Sequence, residues 1–173
     1  MLEVELKFRA DIDKVREELL RLGASLLERK EEVDVYYQHP CRDFAKTDEA
    51  LRVRFSGGSV EVSYKGPRLQ SSAKTRLELT AVAEGDVERI LEALGFRRVA
   101  AIKKRREYYA YGTLTVSLDD VEGLGQFVEV EALASSEASV EAAEAEIGAF
   151  AERLGLRERV DATYLELYLQ RYF

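Results

Sequence analysis

The chain has 173 residues, 46% of them hydrophobic, enough for a single domain spanning 1–173 with a substantial core. One cysteine, Cys41, excludes a disulfide framework or a cysteine-based metal cluster, and one histidine, His39, excludes a histidine-rich zinc site. A formal charge of −7 argues against a general nucleic-acid binder, and no stretch reaches the roughly 18 apolar residues of a membrane span.

The N-terminus lacks the basic-then-apolar layout of a signal peptide, so a soluble cytoplasmic protein without a membrane partner is expected. Any metal must be held by carboxylates, a donor set that suits Mg²⁺ or Mn²⁺.

In chain order, residues 2–9 read as a strand with Glu3, Glu5 and Lys7 on one face and Val4, Leu6 and Phe8 on the other. Asp11 is placed to cap a helix over 12–23, where Val15, Leu19 and Leu22 recur at helical spacing before Gly23 ends it. Strands are predicted at 26–38, 49–56, 59–65 and 74–81. Gly57-Gly58 joins two of them as a hairpin, and Gly66-Pro67 opens a polar loop through Ser72, a connector or a lid. The order then repeats, with a helix at 85–95 and strands at 97–111, 113–119 and 126–133, which suggests a pseudo-twofold sheet. Helices at 137–154 and 161–171 close the chain, the second capped by Asp161. Its aromatic end, from Tyr164 to Leu169, packs on the barrel and offers a contact for a homodimer.

The strand parities gather Lys7, Arg52, Arg54, Lys65, Arg76, Lys104 and Arg106 on one surface with Glu3, Glu5, Glu78, Asp119, Glu129 and Glu131. Cross-strand ion pairs on a solvated sheet would each contribute about 1 kcal/mol or less. Like charges at i and i+2, as in Glu3 with Glu5, Arg52 with Arg54 and Glu129 with Glu131, are unfavourable unless counter-ions lie between them. Eight strands suffice to close a barrel around a small ligand, so the charged face is expected to line a tunnel. Converging guanidinium and ammonium groups suit phosphate oxygens, and clustered carboxylates suit the accompanying divalent cation. The expected ligand is a metal-bound triphosphate.

Glu3-Val4-Glu5-Leu6-Lys7 resembles the ExExK signature of the CYTH superfamily, the triphosphate tunnel metalloenzymes. Asp34-Val35-Tyr36-Tyr37, Leu51-Arg52-Val53-Arg54, Tyr64-Lys65-Gly66, Arg76-Leu77-Glu78, Lys104-Arg105-Arg106, the segment 118–131 and Thr163-Tyr164 resemble family blocks in the same order. The resemblance implies an α+β fold, an eight-stranded antiparallel tunnel with flanking helices. It implies two Mg²⁺ or Mn²⁺ ions held by Glu3, Glu5, Asp119, Glu129 and Glu131. Lys7, Arg52, Arg54, Lys65, Arg76, Lys104 and Arg106 would grip phosphate, and Tyr36 with Lys65 would be the catalytic pair that activates water in hydrolytic members. One departure is Thr80, which stands where the family often has the second acid of Arg-x-Glu-x-Glu.

The overall pattern is most similar to class IV adenylyl cyclases, which convert ATP to cyclic AMP and pyrophosphate. A triphosphatase acting on tripolyphosphate or thiamine triphosphate is the alternative, and a non-catalytic polyphosphate- or nucleotide-binding module is the third. A nucleoside needs a pocket at one tunnel mouth, for which the segments 38–48 and 67–73 are the candidates.

Overall fold

In β1 (Leu2–Arg9) Val4, Leu6 and Phe8 are buried on one face, and Glu5 and Lys7 are buried on the other. A strand can conceal charges this way only when its charged face looks onto an enclosed polar space. The computed structural model describes residues 2–69 and 74–173. It shows β2 (Ser25–Gln38), β3 (Ala50–Ser56), β4 (Ser59–Lys65), β5 (Lys74–Ala83), β6 (Arg97–Tyr111), β7 (Leu114–Val121) and β8 (Gly125–Ala134). The strands run β5-β4-β3-β2-β6-β7-β8-β1, antiparallel throughout, and β1 pairs back onto β5 from Leu2↔Leu77 to Glu5↔Lys74. The sheet is thus a closed eight-stranded antiparallel barrel.

Helices α1 (Ile12–Arg21) and α3 (Val87–Ala93) follow β1 and β5, so β1-α1-β2-β3-β4 and β5-α3-β6-β7-β8 have the same order. Exchanging the two halves leaves the circular strand order unchanged, which gives the expected pseudo-twofold its topological form.

The apolar core lies outside the barrel. Val15 and Leu19 of α1, with Ile147 and Phe150 of α4 (Val140–Arg153), bury the outward residues Val4, Val116 and Val130. Val87 and Leu91 of α3 cover Val35, Tyr37 and Val53. Each such aliphatic or aromatic side chain contributes roughly 1.5–3 kcal/mol through burial. At one end of the barrel, Tyr164, Leu167 and Tyr168 of α5 (Tyr164–Tyr172) meet Ile102, Val121, Leu124 and Phe127. The C-terminal helix therefore packs on the barrel as its aromatic pattern implied.

Several boundaries differ from the sequence expectation. A four-residue helix, α2 (Phe44–Thr47), forms inside the segment read as a loop, capped by the Asp43 carboxylate. The last helix starts at Tyr164 with Thr163 as its cap, not at Asp161. Thr163 Oγ1 accepts from the Glu166 amide and Glu166 accepts from the Thr163 amide, a reciprocal capping box, whereas Asp161 is engaged by Arg159 at 2.8 Å. A 3₁₀ turn at Glu137–Ser139 precedes α4, and the two-residue β9 (Glu158–Arg159) adds to β1. Asp11 caps α1 as expected. In the polar loop, residues 70–73 lie outside the described residues, so the choice between connector and lid does too. No helix among the described residues is long and apolar enough to cross a membrane.

Candidate functional site

The inward faces of the strands enclose a cavity of about 540 Å³. Glu3, Glu5, Lys7, Tyr36, Arg52, Arg54, Lys65, Arg76, Lys104, Arg106, Glu129 and Glu131 all line it, drawn from seven strands by alternation alone. Asp119 is the exception. Its side chain shares the inward face of its ladder partner Arg106 but is fully buried, accepting from Arg106 Nε at 2.5 Å, from Arg106 Nη2 and from the Tyr164 hydroxyl.

The lumen bases meet acids across strands. Lys7 Nζ lies 3.2 Å from Glu129 and 4.0 Å from Glu5, and Lys65 Nζ lies 3.1 Å from Glu3 and 3.2 Å from Glu78. Arg106 reaches Glu129 at 2.5 Å in addition to Asp119. Arg54 makes a forked pair with Asp34, at 2.6 and 2.8 Å, and Lys104 donates to the same carboxylate at 2.7 Å. The Arg52–Arg54 repulsion is therefore offset by an internal carboxylate from β2, where the sequence pattern alone called for an external anion.

Among the acids at β1 and β8, Glu3, Glu5 and Glu129 each lie within 4.0 Å of a lysine, whereas Glu131 is set against like charges. Glu5 and Glu131 stand directly opposite each other in the β1–β8 register, an unfavourable pairing of like charges. Burial, with Glu3 and Glu5 nearby, pushes Glu131 up to about 8. Burial also depresses Arg76, and burial together with Arg106 pulls Lys104 down to about 8 although Asp34 opposes the shift. On Asp34 burial acts the other way, yet Lys104, Arg54 and Arg52 hold it well below the usual carboxylate range. Tyr36 is raised by burial and by Asp34.

Tyr36 and Lys65 share the cavity, but no hydrogen bond joins them; the lysine is held by Glu3 and Glu78. Arg52 Nε is buried without a hydrogen-bond partner. Among the described residues no three acidic side chains already form a metal cage. Oxygen donors do face the lumen at Glu3, Glu5, Glu129 and Glu131, and the raised Glu131 marks a point where a cation would relieve repulsion.

Four participants had no site role in the sequence expectation. Asp34 and Glu32 share inward parity with Tyr36 on β2, though so do Glu28 and Lys30, and Glu61 shares inward parity with Ser63 and Lys65 on β4. Tyr164 was read as helix packing. It is that, edge-on to Phe127 with the Lys7 amine 3.8 Å above its ring, but its hydroxyl also fixes Asp119. At the mouth, Arg68 binds Asp48 at 2.7 Å and Glu166 at 2.9 Å, tying the approach to β3, the β4–β5 connection and α5 together. Asp48 follows α2 with a left-handed φ of 55°. Phe44, Leu51, Val99, Leu165 and Leu169 add apolar side chains to the lining of the same cavity.

This architecture and sequence have relatives. "Putative adenylate cyclase MJ0240" of Methanocaldococcus jannaschii is 42% identical over 134 residues, 76% of this chain and 77% of that protein. "Adenylate cyclase CyaB" of Aeromonas hydrophila is 32% identical over 160 residues, 89% of this chain and 81% of that protein. The PH1819 structure from Pyrococcus horikoshii OT3 superposes with a TM-score of 0.90 at 39% identity, covering 98% of this chain and 99% of that one. Residues 1–164, from the Glu3-Val4-Glu5-Leu6-Lys7 strand to the tyrosine that anchors the closing helix, match the CYTH domain model, and the chain belongs to that family.

Proposed function

We propose that this protein is a Mg²⁺- or Mn²⁺-dependent adenylyl cyclase that converts ATP to cyclic AMP and pyrophosphate inside the barrel. The observation that carries the reading is the composition of one cavity: a lining of converging bases and carboxylates together with the apolar side chains of Phe44, Val99, Leu165 and Leu169. A triphosphate suits the first part and a nucleoside the second, whereas inorganic tripolyphosphate has no use for the apolar part. The Phe44 contribution comes from the 38–48 segment that the sequence marked as a nucleoside-pocket candidate. The names of the Methanocaldococcus and Aeromonas relatives support the same activity.

Each base has a task in this scheme. Arg52, Arg54, Lys104 and Arg106 bind phosphate oxygens and stabilise the charge that grows on the departing pyrophosphate. Lys7, Lys65 and Arg76 hold the chain at the β1–β5 side. Acids outnumber bases along the described lining, so a triphosphate entering without cations would deepen a negative excess. Glu3, Glu5, Glu129 and Glu131 would hold two divalent ions, with Asp119 behind them. When bound, such ions neutralise phosphate charge and orient the reacting oxygens.

A triphosphatase is the second reading, favoured by the presence of Tyr36 and Lys65 in one cavity, where they can flank a water molecule. A chromatographic product assay with ATP, thiamine triphosphate and tripolyphosphate in parallel separates the two, with Glu5→Ala as the blank. Cyclic AMP with pyrophosphate is the expected outcome. Orthophosphate without cyclic AMP would overturn the cyclase and leave the tunnel as a hydrolase.

A further inference from the structure

Asp34 occupies an unusual position among the lumen acids. It is 1% exposed, and three of the bases assigned to phosphate converge on its two oxygens. Arg54 Nε donates to Oδ1 at 2.6 Å, Arg54 Nη2 and Lys104 Nζ donate to Oδ2 at 2.8 and 2.7 Å, and Arg52 Nη1 lies 3.9 Å from Oδ2. Glu32 backs the same cluster, 3.3 Å from Arg54 Nε and 3.2 Å from Lys104 Nζ, and is itself fixed by the Tyr108 hydroxyl at 2.8 Å. The arrangement is built into the sheet. Asp34 faces Arg54 across the β2–β3 ladder and Glu32 faces Lys104 across the β2–β6 ladder.

Long cationic side chains facing a common cavity repel one another and carry about 2 kcal/mol of rotamer entropy each. A buried carboxylate at their centre removes both obstacles before any ligand arrives. It also takes only one edge of Arg54, the Nε–Nη2 fork, so Nη1 makes no hydrogen bond to a described residue. Arg52 likewise keeps its Nε donor unpaired. Donors left over from a fixed guanidinium are what a phosphate oxygen requires.

We infer that Asp34 is a positioning residue: it does not touch the substrate or a metal but aligns Arg54, Lys104 and Arg52 as one preorganised grip for the polyphosphate chain. The inference rests on the tunnel being a triphosphate site. Its test turns on a sign. If Asp34 were only another negative charge in the lumen, removing it would tighten the binding of an anion. If it positions the bases, removing it weakens binding.

Tripolyphosphate with Mg²⁺ is titrated into the wild-type protein, Asp34→Asn and Asp34→Glu by calorimetry, with thermal unfolding of each as the folding control. The wild type is expected to bind. Asp34→Asn is expected to bind roughly tenfold or more weakly, as a misplaced grip does, and with any substrate turned over KM should rise and kcat should fall, because the same bases hold the bound chain and the leaving group. Asp34→Glu keeps the charge but moves it by one methylene, so it should fold as the wild type does and still lose affinity. Wild-type or tighter binding by Asp34→Asn overturns the inference. If Asp34→Asn does not fold, wild-type binding by Asp34→Glu overturns it instead. Failure of the wild type itself to bind tripolyphosphate removes the tunnel reading on which the inference stands, a result distinct from either.

Discussion

Tyr164→Phe isolates one hydrogen bond at the junction of the closing helix and the lumen wall. The phenol ring sits edge-on to Phe127 at 5.1 Å and under the Lys7 amine, and phenylalanine keeps both contacts. Only the hydroxyl is lost, together with its bond to Asp119. Asp119 retains Arg106, so the cost is that of one hydrogen bond to a charged acceptor, about 1.5 kcal/mol at the low end of the usual range. For a chain of this length such a loss lowers the thermal midpoint by roughly 3–6 °C. Burial and the neighbouring Asp119 and Glu129 carboxylates raise the Tyr164 hydroxyl well above its ordinary value, so it stays a donor and the difference should not vary between pH 6 and 9. Tyr164→Ala, which also abandons the aromatic packing, should cost about 3–5 kcal/mol. Paired melting curves at several pH values decide the matter. Equal midpoints for wild type and Tyr164→Phe would show that Asp119 is held by Arg106 alone and that α5 is not coupled to the lumen through its first residue.

Tripolyphosphate and Mg²⁺ or Mn²⁺ together should raise the thermal midpoint well above either alone. Saturation at a hundredfold over Kd contributes about 2.7 kcal/mol, and an additive or absent shift would discredit the shared site. Because Asp34 is depressed in the folded state, its contribution to stability is present above the unfolded carboxylate value of about 3.9 and is lost as pH falls toward the folded one. The midpoint should therefore drop steeply on acidification below about pH 4, and Asp34→Asn should flatten that limb; an unchanged limb would assign acid sensitivity elsewhere. Lys104, pulled down to about 8, should take up a proton when tripolyphosphate brings negative charge beside it at pH 8. Calorimetry in buffers of different ionisation enthalpy measures that uptake, and buffer-independent heats would contradict it.

The barrel was legible because alternation is a strong signal when both faces of a strand are buried. Val4 and Leu6 against Glu5 and Lys7 would also suit a sheet open to water on one side, and it was the like-charge pairs recurring on several strands that pointed to an enclosed lumen. The cap of α5 was misassigned to Asp161 although its signal lies in the sequence. Thr163 with Glu166 three residues on is a capping-box pair, and Asp161 drew notice only because a carboxylate is the commoner isolated signal. Asp34 was harder for a physical reason. On β2 the acids and bases at Glu28, Lys30, Glu32 and Asp34 share one parity, yet Glu28 and Lys30 lie toward the exposed first half of the strand and Glu32 and Asp34 inside the barrel. Only the register against Arg54 and Lys104 distinguishes them.

The same limit governs the acids proposed to bind metal. Asp119 and Glu131 look alike as inward carboxylates on neighbouring strands, but their electrostatic situations are opposite. Asp119 is satisfied by Arg106 and Tyr164, so a cation there would have to compete with a guanidinium already in place. Glu131 faces Glu5 across the ladder and is pushed up by burial and then by Glu3 and Glu5, so a cation there would replace repulsion with attraction. Equal charges at equal parity thus become unequal sites. The β1–β8 seam, rather than Asp119, is therefore the proposed seat of a divalent ion.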